Sequence, residues 1–366
     1  MKIKEVSARA IKDSRNEKTI EVSVNGQKAS APEGKSTGKY ETRIYRTSLK
    51  QSIKDINTLT IPFDINSFSD LAKLESFLVK TFKLKNPQDL GANPLFALEA
   101  AILKALAKSK NKQLWQIINP RAKKLPRPVG NAIGGGRHSS QFKKHPSIQE
   151  FLLIPKGKSF KEQNKIMREA YKQIGALLKT KKTNDEGAWQ TSLNDTQVLQ
   201  LLQPFRKNVD LGLDIAASSS RKNRNPQEIS ELIKTYKLFY VEDPLKENAF
   251  DSFAKIHHDK KTLITGDDLT ATHMNRLKKA ARLKSINAMI VKPNQNGSLI
   301  SLQKIIQFCK KHNIKTILSH RSGETLDTTI ADLAVGFQTD FIKTGIATKW
   351  REAKLKRLLQ IERQIS

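Results

Sequence analysis

Between Val209 and Gly345 the chain repeats one short pattern, in which an apolar run ends in a polar residue able to do chemistry. The runs are VDLGLD (209–214), LFYVED (238–243), LITGDD (263–268), AMIVK (288–292), TILSHR (316–321) and FIK (341–343). Their polar ends recur at steps of 28, 25, 25, 28 and 23 residues, counted through Asp214, Glu242, Asp267, Lys292, His320 and Lys343. A strand, a helix and two loops need about that length, and a (β/α)8 barrel of about 250 residues divides into similar units. The sequence therefore predicts an α/β fold with a (β/α)8-type barrel.

The polar ends of these runs are predicted to share one site, because barrel chemistry lies at the C-terminal ends of the strands. Acids close three adjacent runs, at Asp214, at Glu242 and Asp243, and at Asp267 and Asp268. Converging carboxylates raise one another's pKa unless they are neutralised, so this arrangement indicates a divalent cation, and an all-oxygen site suits Mg²⁺. A single acid can instead cap a helix, and Asp268, ahead of LTATHMNRLKK, fits that role too.

The composition is that of a globular protein. A chain of 366 residues is long enough for a barrel and a smaller domain, and its 37% hydrophobic residues fall in periodic clusters. No apolar run approaches the roughly 18 residues of a membrane-spanning helix, and the N-terminus lacks an apolar signal core, so we expect a cytoplasmic protein without a membrane partner. Cys309, the only cysteine, cannot form an internal disulfide and is expected to be a buried, inert thiol.

The net charge of +31, from 66 Lys and Arg against 35 Asp and Glu, is extreme for an enzyme of small metabolites. A positive field would steer an anionic phosphorylated substrate, and it would equally attract nucleic acid or other polyanions. The excess is spread over almost every predicted helix, and aromatic residues make up only 6%. This favours a solvated basic surface with nonspecific polyanion binding at low salt over a dedicated nucleic-acid groove.

The N-terminal part is predicted to be a separate α+β domain. Two segments, IKEVSARAIKDSR and KTIEVSVNGQKASAP, alternate apolar and polar residues. The second contains Asn25-Gly26, a strong hairpin signal, so the chain should open with antiparallel strands. PEGKSTGKY (32–40) has the composition of a mobile loop, and apolar spacing predicts helices over 68–82 and 94–109. RAKKLPRPVGN, with its two prolines, reads as the boundary, which gives an N-terminal domain over 1–125 and a barrel over 126–366.

Past that boundary, three candidate site residues lie near loops. His138 follows three glycines in NAIGGGRHSS, Glu150 directly precedes the apolar core of the strand-like QEFLLIP, and Glu186 lies in NDEGAW. A lone loop histidine is usually only solvated. The C-terminal KWREAKLKRLLQIERQIS is predicted to be a basic amphipathic helix that closes the barrel through Leu355, Leu358, Leu359 and Ile361.

The chain resembles the enolase family over nearly its whole length, and the similarity is most specific in the SHRSGET block. The blocks that carry it are GLDIAAS (212–218), VEDPL (241–245), GDDLTAT (266–272), SHRSGETLDTTIADLAVG (319–336) and IKTG (342–345). The resemblance implies an enolase-type barrel with a smaller N-terminal domain and Mg²⁺-dependent phosphopyruvate hydratase activity, a hydro-lyase reaction of glycolysis and gluconeogenesis. It also implies 2-phosphoglycerate and phosphoenolpyruvate as substrates and a homodimer or higher homo-oligomer.

The resemblance further implies catalytic roles. Lys292 would remove the C2 proton, and burial beside Mg²⁺ and Lys343 is expected to lower its pKa. Glu186 would protonate the departing C3 hydroxyl with help from Glu150, although this chain has DEGAW where the family usually has DEGGF.

The remaining implied roles concern binding. The first Mg²⁺ would be held by Asp214, Glu242 and Asp267, and Ser36 in the mobile loop would help bind a second Mg²⁺ near the substrate phosphate. Arg321 and Ser322 would hold that phosphate, where a guanidinium gives charge-assisted hydrogen bonds. The other implied substrate contacts are Lys343 at the carboxylate with His320 beside it, Glu150, and His138 on a second mobile loop.

Two alternatives stay open. The first is another Mg²⁺-dependent enzyme of the enolase superfamily, since Lys179-Thr180-Lys181 fits a Lys-x-Lys base pair, although the phosphate-reading set from His320 to Ser322 argues against it. The second is a non-catalytic enolase-like protein that binds polyanions or nucleic acid, which the charge of +31 suggests.

Overall fold

The computed structural model of the chain describes residues 1–34, 38–139, 144–220, 222–257 and 259–365. Within these ranges, no helix is both long enough and apolar enough to cross a membrane. Because residues 35–37 lie outside these ranges, the predicted mobile loop 32–40 is described only in part.

Antiparallel strands open the chain, as the alternating pattern predicts. Asn25 and Gly26 form the tight turn of the hairpin with φ angles of 48° and 76°, the positive values that a type I′ turn requires. Ile20, Val22 and Val24 lie buried on one face of the middle strand. The three strands of this sheet are β1 (Val6–Lys12), β2 (Lys18–Val24) and β3 (Gln27–Ser30).

Both helices predicted in the N-terminal domain form. The first begins at Leu71, after a 3₁₀ turn over Phe68–Asp70, and the second extends two residues further back than predicted, to Ala92. The second is buried along nearly all its length because it packs on β2 and β3 and contacts the barrel segment Pro293–Asn296. The helices of this domain are α1 (Leu49–Asn57), α2 (Leu71–Phe82), α3 (Ala92–Ser109) and α4 (Leu114–Ile118).

The rest of the chain closes into the predicted barrel. Its last strand pairs with its first, and every run of the repeating pattern forms a strand. The barrel strands are β4 (Arg127–Gly134), β5 (Glu150–Pro155), β6 (Val209–Asp214), β7 (Tyr240–Glu242), β8 (Leu263–Gly266), β9 (Ala288–Val291), β10 (Lys315–Ser319) and β11 (Phe341–Lys343).

Helices cover the outside of this barrel. The C-terminal one buries Leu355, Leu358 and Ile361, as the amphipathic pattern predicts, and Cys309 is fully buried, where burial raises the pKa of its thiol to about 12. The helices are α5 (Phe160–Leu178), α6 (Asp195–Leu202), α7 (Pro226–Tyr236), α8 (Phe250–Phe253), α9 (Met274–Arg282), α10 (Pro293–Asn296), α11 (Leu299–Lys311), α12 (Thr329–Gly336) and α13 (Lys349–Ile365).

One strand departs from the all-parallel (β/α)8 pattern. β5 runs antiparallel to both β4 and β6, whereas the other neighbouring pairs are parallel. The connection from β4 to β5 contains only a 3₁₀ turn, Gly136–Ser139, in its described part. A parallel return needs a crossover of a dozen or more residues, usually a helix, so without that helix the chain turns back directly.

Apolar side chains fill the barrel at the end where the parallel strands begin. Val129, Ile154, Tyr240, Ile290 and Phe341 are among the residues of this inner core. Because this end is closed, the opposite end, where the parallel strands finish, is left for polar groups.

Candidate active site

A pocket of about 260 Å³ opens at the C-terminal ends of the parallel strands. The N-terminal domain contributes Gly34 and Glu41 to its wall. The predicted site residues in its lining are Glu186, Lys292, Glu150, His138, His320, Arg321, Ser322, Lys343, Asp214 and Asp267. Glu242, which is 1% exposed, lies beneath them, and Ser36 lies outside the described residues.

Lys343, the last residue of β11, binds three carboxylates. Its Nζ donates to Asp214 at 3.0 Å and to Glu242 at 2.8 Å, and it lies 2.9 Å from Glu150. Burial would lower the pKa of Lys343, but these carboxylates raise it well above its usual value. Burial and the charge of Asp214 in turn raise the pKa of Glu242, which also accepts a hydrogen bond from the Tyr240 hydroxyl at 2.6 Å.

Asp243 is a site residue that the sequence interpretation left without a role. Its backbone has a φ of 39°, and its carboxylate accepts the backbone N–H groups of Asp267, at 2.9 Å, and Asp268, at 2.7 Å. Asp243 therefore holds the end of β8 in place. Its position directly after Glu242, at a strand end, was the available signal.

The alternative interpretation of Asp268 as a helix cap is wrong. The next helix, α9, begins at Met274 with His273 before it, so Asp268 lies too far from that helix to cap it. Burial and the charge of Asp267 instead raise the pKa of Asp268 to about 7.

Lys292 contacts the Asp267 carboxylate directly. The sequence predicted a lowered pKa for this lysine. Burial does act in that direction, but the negative charge of Asp267 outweighs it, and the pKa of Lys292 is raised above its usual value. The expected lowering was for a site that holds Mg²⁺, so it stays a prediction.

His138, Glu150 and Glu186 converge, with ligand atoms within 4.8 Å of one another. Burial raises the pKa of Glu150 to about 7 in spite of Lys343. Burial acts the same way on Glu186, but the imidazoles of His138 and His320 and the charge of Arg351 bring the pKa of Glu186 below its usual value. These opposite directions favour Glu150 over Glu186 as the carboxyl group that holds a proton.

The loop that carries Glu186 is anchored despite its unusual DEGAW sequence. The Asn184 side chain accepts the backbone N–H groups of Glu186, at 3.1 Å, and Ala188, at 2.9 Å. Trp189 stacks on Tyr171 with ring centroids 4.8 Å apart, and a Cβ at Gly175 would lie 2.5 Å from the Trp189 ring. The larger aromatic residue fits here because position 175 is glycine.

Arg321 is buried and Ser322 half-buried in one turn, which residues of the N-terminal domain contact. Arg321 is 5% exposed and lies 2.9 Å from the Glu41 carboxylate, while Arg15 donates to the Ser322 hydroxyl at 3.0 Å. A Cβ at Gly34 would lie 2.2 Å from the Arg321 Nη2, so a larger residue there would require the guanidinium to move.

The last helix, α13, contacts the backbone of the same turn and of the residues after it. Arg351 donates to the Ser322 carbonyl at 2.7 Å, and Lys354 donates to the Thr325 carbonyl at 2.5 Å. The sequence interpretation missed both cations. They share the buried face of α13 with Leu355 and Leu358, and charged residues at those spacings were the signal.

The residues present fit a hard divalent cation. The carboxylates of Asp214, Glu242 and Asp267 offer only oxygen donors, which a hard cation prefers. Burial and the charge of Asp214 raise the pKa of Glu242, and a bound cation would act against that rise. Among the described residues, the groups whose ligand atoms already converge within 4.8 Å are His138 with Glu150 and Glu186, and Asp243 with Asp267 and Asp268. Asp214 and Glu242 are instead linked through Lys343.

Comparisons with known proteins agree with this geometry. Residues 3–118 match the enolase N-terminal domain, and residues 122–366 match the enolase C-terminal TIM barrel domain. The chain is 33% identical to the enolase of Archaeoglobus fulgidus, over 99% of this chain and 97% of that protein. It is 35% identical to the enolase of Sulfurisphaera tokodaii, over 99% and 95%, and 35% identical to that of Methanosphaera stadtmanae, over 99% and 97%.

Proposed function

The chain belongs to the enolase family, and we propose that its pocket catalyses the phosphopyruvate hydratase reaction with the division of roles described below. The reaction is the reversible, Mg²⁺-dependent dehydration of 2-phosphoglycerate to phosphoenolpyruvate, a step of glycolysis and gluconeogenesis. The observation that carries the proposal is that Lys292, the acidic groups and the Arg321–Ser322 turn line one pocket of about 260 Å³.

Asp214, Glu242 and Asp267 would hold the first Mg²⁺, and Ser36 would contribute to a second one beside the substrate phosphate. Bound Mg²⁺ supplies positive charge near the substrate carboxylate, where negative charge grows as the C2 proton leaves, as is general for the enolase superfamily. Lys343, already bonded to Asp214 and Glu242, would hold the same carboxylate, with His320 beside it.

Lys292 is proposed as the base. In the described structure its ammonium contacts Asp267, so it must give up a proton before it accepts one from C2. Burial favours its neutral form, while Asp267 favours the charged one. Neutralisation of the Asp267 charge would therefore leave burial as the dominant influence on this lysine.

Glu186 is proposed as the acid for the departing C3 hydroxyl. The C2–H bond breaks and its proton goes to Lys292, and the C3–O bond then breaks as the hydroxyl takes a proton from Glu186 and leaves as water. The C2–C3 double bond forms from the released electron pair. Glu150, whose pKa is raised to about 7, would assist by supplying Glu186 with a proton, and His138 lies 3.5 Å from Glu150.

Arg321 and Ser322 would bind the phosphate. A guanidinium makes strong charge-assisted hydrogen bonds to phosphate oxygens, and Arg321 is held at the pocket wall by Glu41 and Asn294. This phosphate turn disfavours a superfamily enzyme whose substrate lacks phosphate. We further propose a cytoplasmic homodimer or higher homo-oligomer, which light scattering on the purified protein would test.

The test is the absorbance of phosphoenolpyruvate formed from 2-phosphoglycerate, with and without Mg²⁺. We expect turnover that requires Mg²⁺. A folded protein that binds Mg²⁺ but forms no phosphoenolpyruvate would contradict the proposal and favour a non-catalytic role.

A further inference from the structure

A buried arginine of the last helix holds the phosphate turn by its backbone. Arg351, in the first turn of α13, is 0% exposed, and its Nη2 donates to the carbonyl oxygens of Ser322, at 2.7 Å, and Arg321, at 3.4 Å. A Cβ at Gly345 would lie 2.8 Å from the Arg351 Cγ, so the glycine of IKTG leaves room for this side chain. Arg351 does not line the pocket, and it contacts the pocket wall through this turn.

Among the described residues, the charge of Arg351 lacks a carboxylate partner, whereas Lys354 and Arg357 on α13 each have one. Lys354 lies 2.5 Å from Glu324, and Arg357 lies 2.6 Å from Asp332. Within the described part of the chain, no carboxylate pairs with Arg351, and its Nε and Nη1 have no hydrogen-bond partner. Burying an unpaired charge is costly, so an anion that enters the adjacent pocket would gain from it.

The charge of Arg351 shifts the pKa values of two neighbouring groups, His320 and Glu186. Burial first and Arg351 second lower the pKa of His320. Arg351 also helps the two imidazoles to lower the pKa of Glu186 against the effect of burial. The positive field of Arg351 therefore reaches the pocket, although its atoms do not line it.

We propose that Arg351 is a positioning residue for the substrate phosphate, fixing the Arg321–Ser322 turn through two carbonyls and adding an unpaired positive charge behind it. This proposal rests on the proposed function, because it takes the anion to be a phosphomonoester. The ligand class it favours is a substrate with both a phosphate and a carboxylate.

The matched experiment compares R351Q, R351K and R357Q. Arg357 is the control because it lies on the same helix and carries the same charge, but it pairs with Asp332 away from the turn. The measurements are kcat and KM for 2-phosphoglycerate, inhibition by inorganic phosphate, Mg²⁺ affinity by calorimetry, and the thermal midpoint of each variant.

For R351Q we expect KM and the phosphate inhibition constant to rise together by about 10- to 100-fold, the usual range for losing hydrogen bonds from a charged group. The fall in kcat should be smaller than the rise in KM, and Mg²⁺ affinity should change by less than about threefold. R351K keeps the charge but cannot span both carbonyls, so its values should lie between those of R351Q and the parent chain. R357Q should lower the thermal midpoint and leave KM unchanged.

An unchanged KM and phosphate inhibition constant in R351Q would overturn the proposal and leave Arg351 with a purely structural role. If R351Q does not fold, R351K decides the matter, because parent-like phosphate inhibition in that variant contradicts positioning through the carbonyls. Absence of turnover in the parent chain contradicts the proposed function instead. Binding of inorganic phosphate by calorimetry then still tests Arg351.

Discussion

Glu150 and Asp214 face each other across the β5–β6 ladder, although Glu150 is the first residue of its strand and Asp214 the last of its own. In an all-parallel barrel, the first residue of a strand lies at the end away from the site. The reversal of β5 therefore brings Glu150 into the pocket, 2.9 Å from Lys343. The direction of one strand thus decides whether this acid can take part in chemistry.

The first prediction concerns the two glutamates. E186Q should slow loss of the C3 hydroxyl by about 10²-fold or more, the usual contribution of a general acid, while exchange of the C2 proton with solvent continues. E150Q should have a smaller effect on hydroxyl loss, because Glu150 supplies a proton to Glu186 and does not itself protonate the hydroxyl. Deuterium exchange followed by NMR, beside the dehydration rate, separates the two steps. An equal loss of both steps in E186Q would show that the assigned division of roles is wrong.

Replacing the proposed base should stop exchange of the C2 proton, which continues in E186Q. K292A should abolish exchange of the C2 proton, because no other group is assigned to remove it. It should not weaken Mg²⁺ binding, because loss of the lysine leaves the Asp267 carboxylate without its cationic partner. K284A, a lysine exposed at the other end of the barrel, is the control and should behave as the parent chain. Persistent exchange in K292A would remove Lys292 from this role.

Metal binding is tested by two adjacent acids. D267N should weaken the first Mg²⁺ by about tenfold or more and leave the fold intact, because charge dominates the affinity of a hard cation for oxygen ligands. D268N, one residue on, is the matched control and should change the affinity by less than about threefold. Calorimetric titration measures both. A loss of affinity in D268N as large as that in D267N would place the ion on the group formed by Asp243, Asp267 and Asp268.

The sequence predicted the repeating strands and most site residues because each strand end is a local signal. It could not predict the reversal of β5, because the signal lies in the connection, whose described residues contain no crossover helix, and not in the residues of the strand. Arg15 and Glu41 were missed for another reason. Arg15 contacts Ser322, 307 positions away along the chain, and Glu41 contacts Arg321, 280 positions away, so no local pattern reveals either contact.

The pKa of Lys292 also lay beyond sequence reasoning, because it depends on which of two opposing influences is larger. Burial was predictable from the apolar run AMIVK. The contact with Asp267 depends on the side-chain conformations at the ends of two strands. The role of Ser36 stays a prediction, because that residue lies outside the described part of the chain.

A pH-dependent prediction concerns the junction between the domains. Glu99 of α3 is 0% exposed and accepts the backbone N–H of Leu299 at 2.7 Å, and burial and the charge of Glu75 raise its pKa well above 4.5. The folded chain therefore binds this proton more tightly than the unfolded chain does. Stability from this group is complete below about pH 4.5 and is lost as pH rises toward the raised pKa.

The E99Q variant keeps an acceptor for Leu299 and a donor for Glu75 but does not titrate. The free energy of unfolding of E99Q should increase relative to that of the parent chain as pH rises from 5 to 8. The gain should be about 1.4 kcal/mol for each pH unit up to the folded pKa of Glu99. Urea denaturation of both proteins at each pH gives the difference. A difference that does not vary with pH would contradict a neutral, buried Glu99.

The last prediction concerns the net charge of +31. Exposed lysines such as Lys123, Lys124, Lys237 and Lys315 lie where barrel strands begin, at the end of the barrel opposite the pocket. Polyanions that bind there would not compete with a substrate held by buried groups. Binding of DNA or RNA should be independent of sequence and should fall by about 10³ or more between 50 and 200 mM salt, if 6 to 10 phosphates are contacted.

Catalysis should depend on salt far less, because buried contacts are screened less than exposed charges. Near physiological salt the protein should therefore still dehydrate 2-phosphoglycerate while it releases nonspecific nucleic acid. The two measurements are fluorescence anisotropy of labelled DNA and RNA of unrelated sequences, and the dehydration assay at the same salt concentrations. The K123E/K124E variant should weaken nucleic-acid binding and reduce its salt dependence without changing KM, because two phosphate contacts are lost far from the pocket. Tight, sequence-selective RNA binding at that salt, by a preparation without hydratase activity, would contradict this separation and favour the non-catalytic alternative.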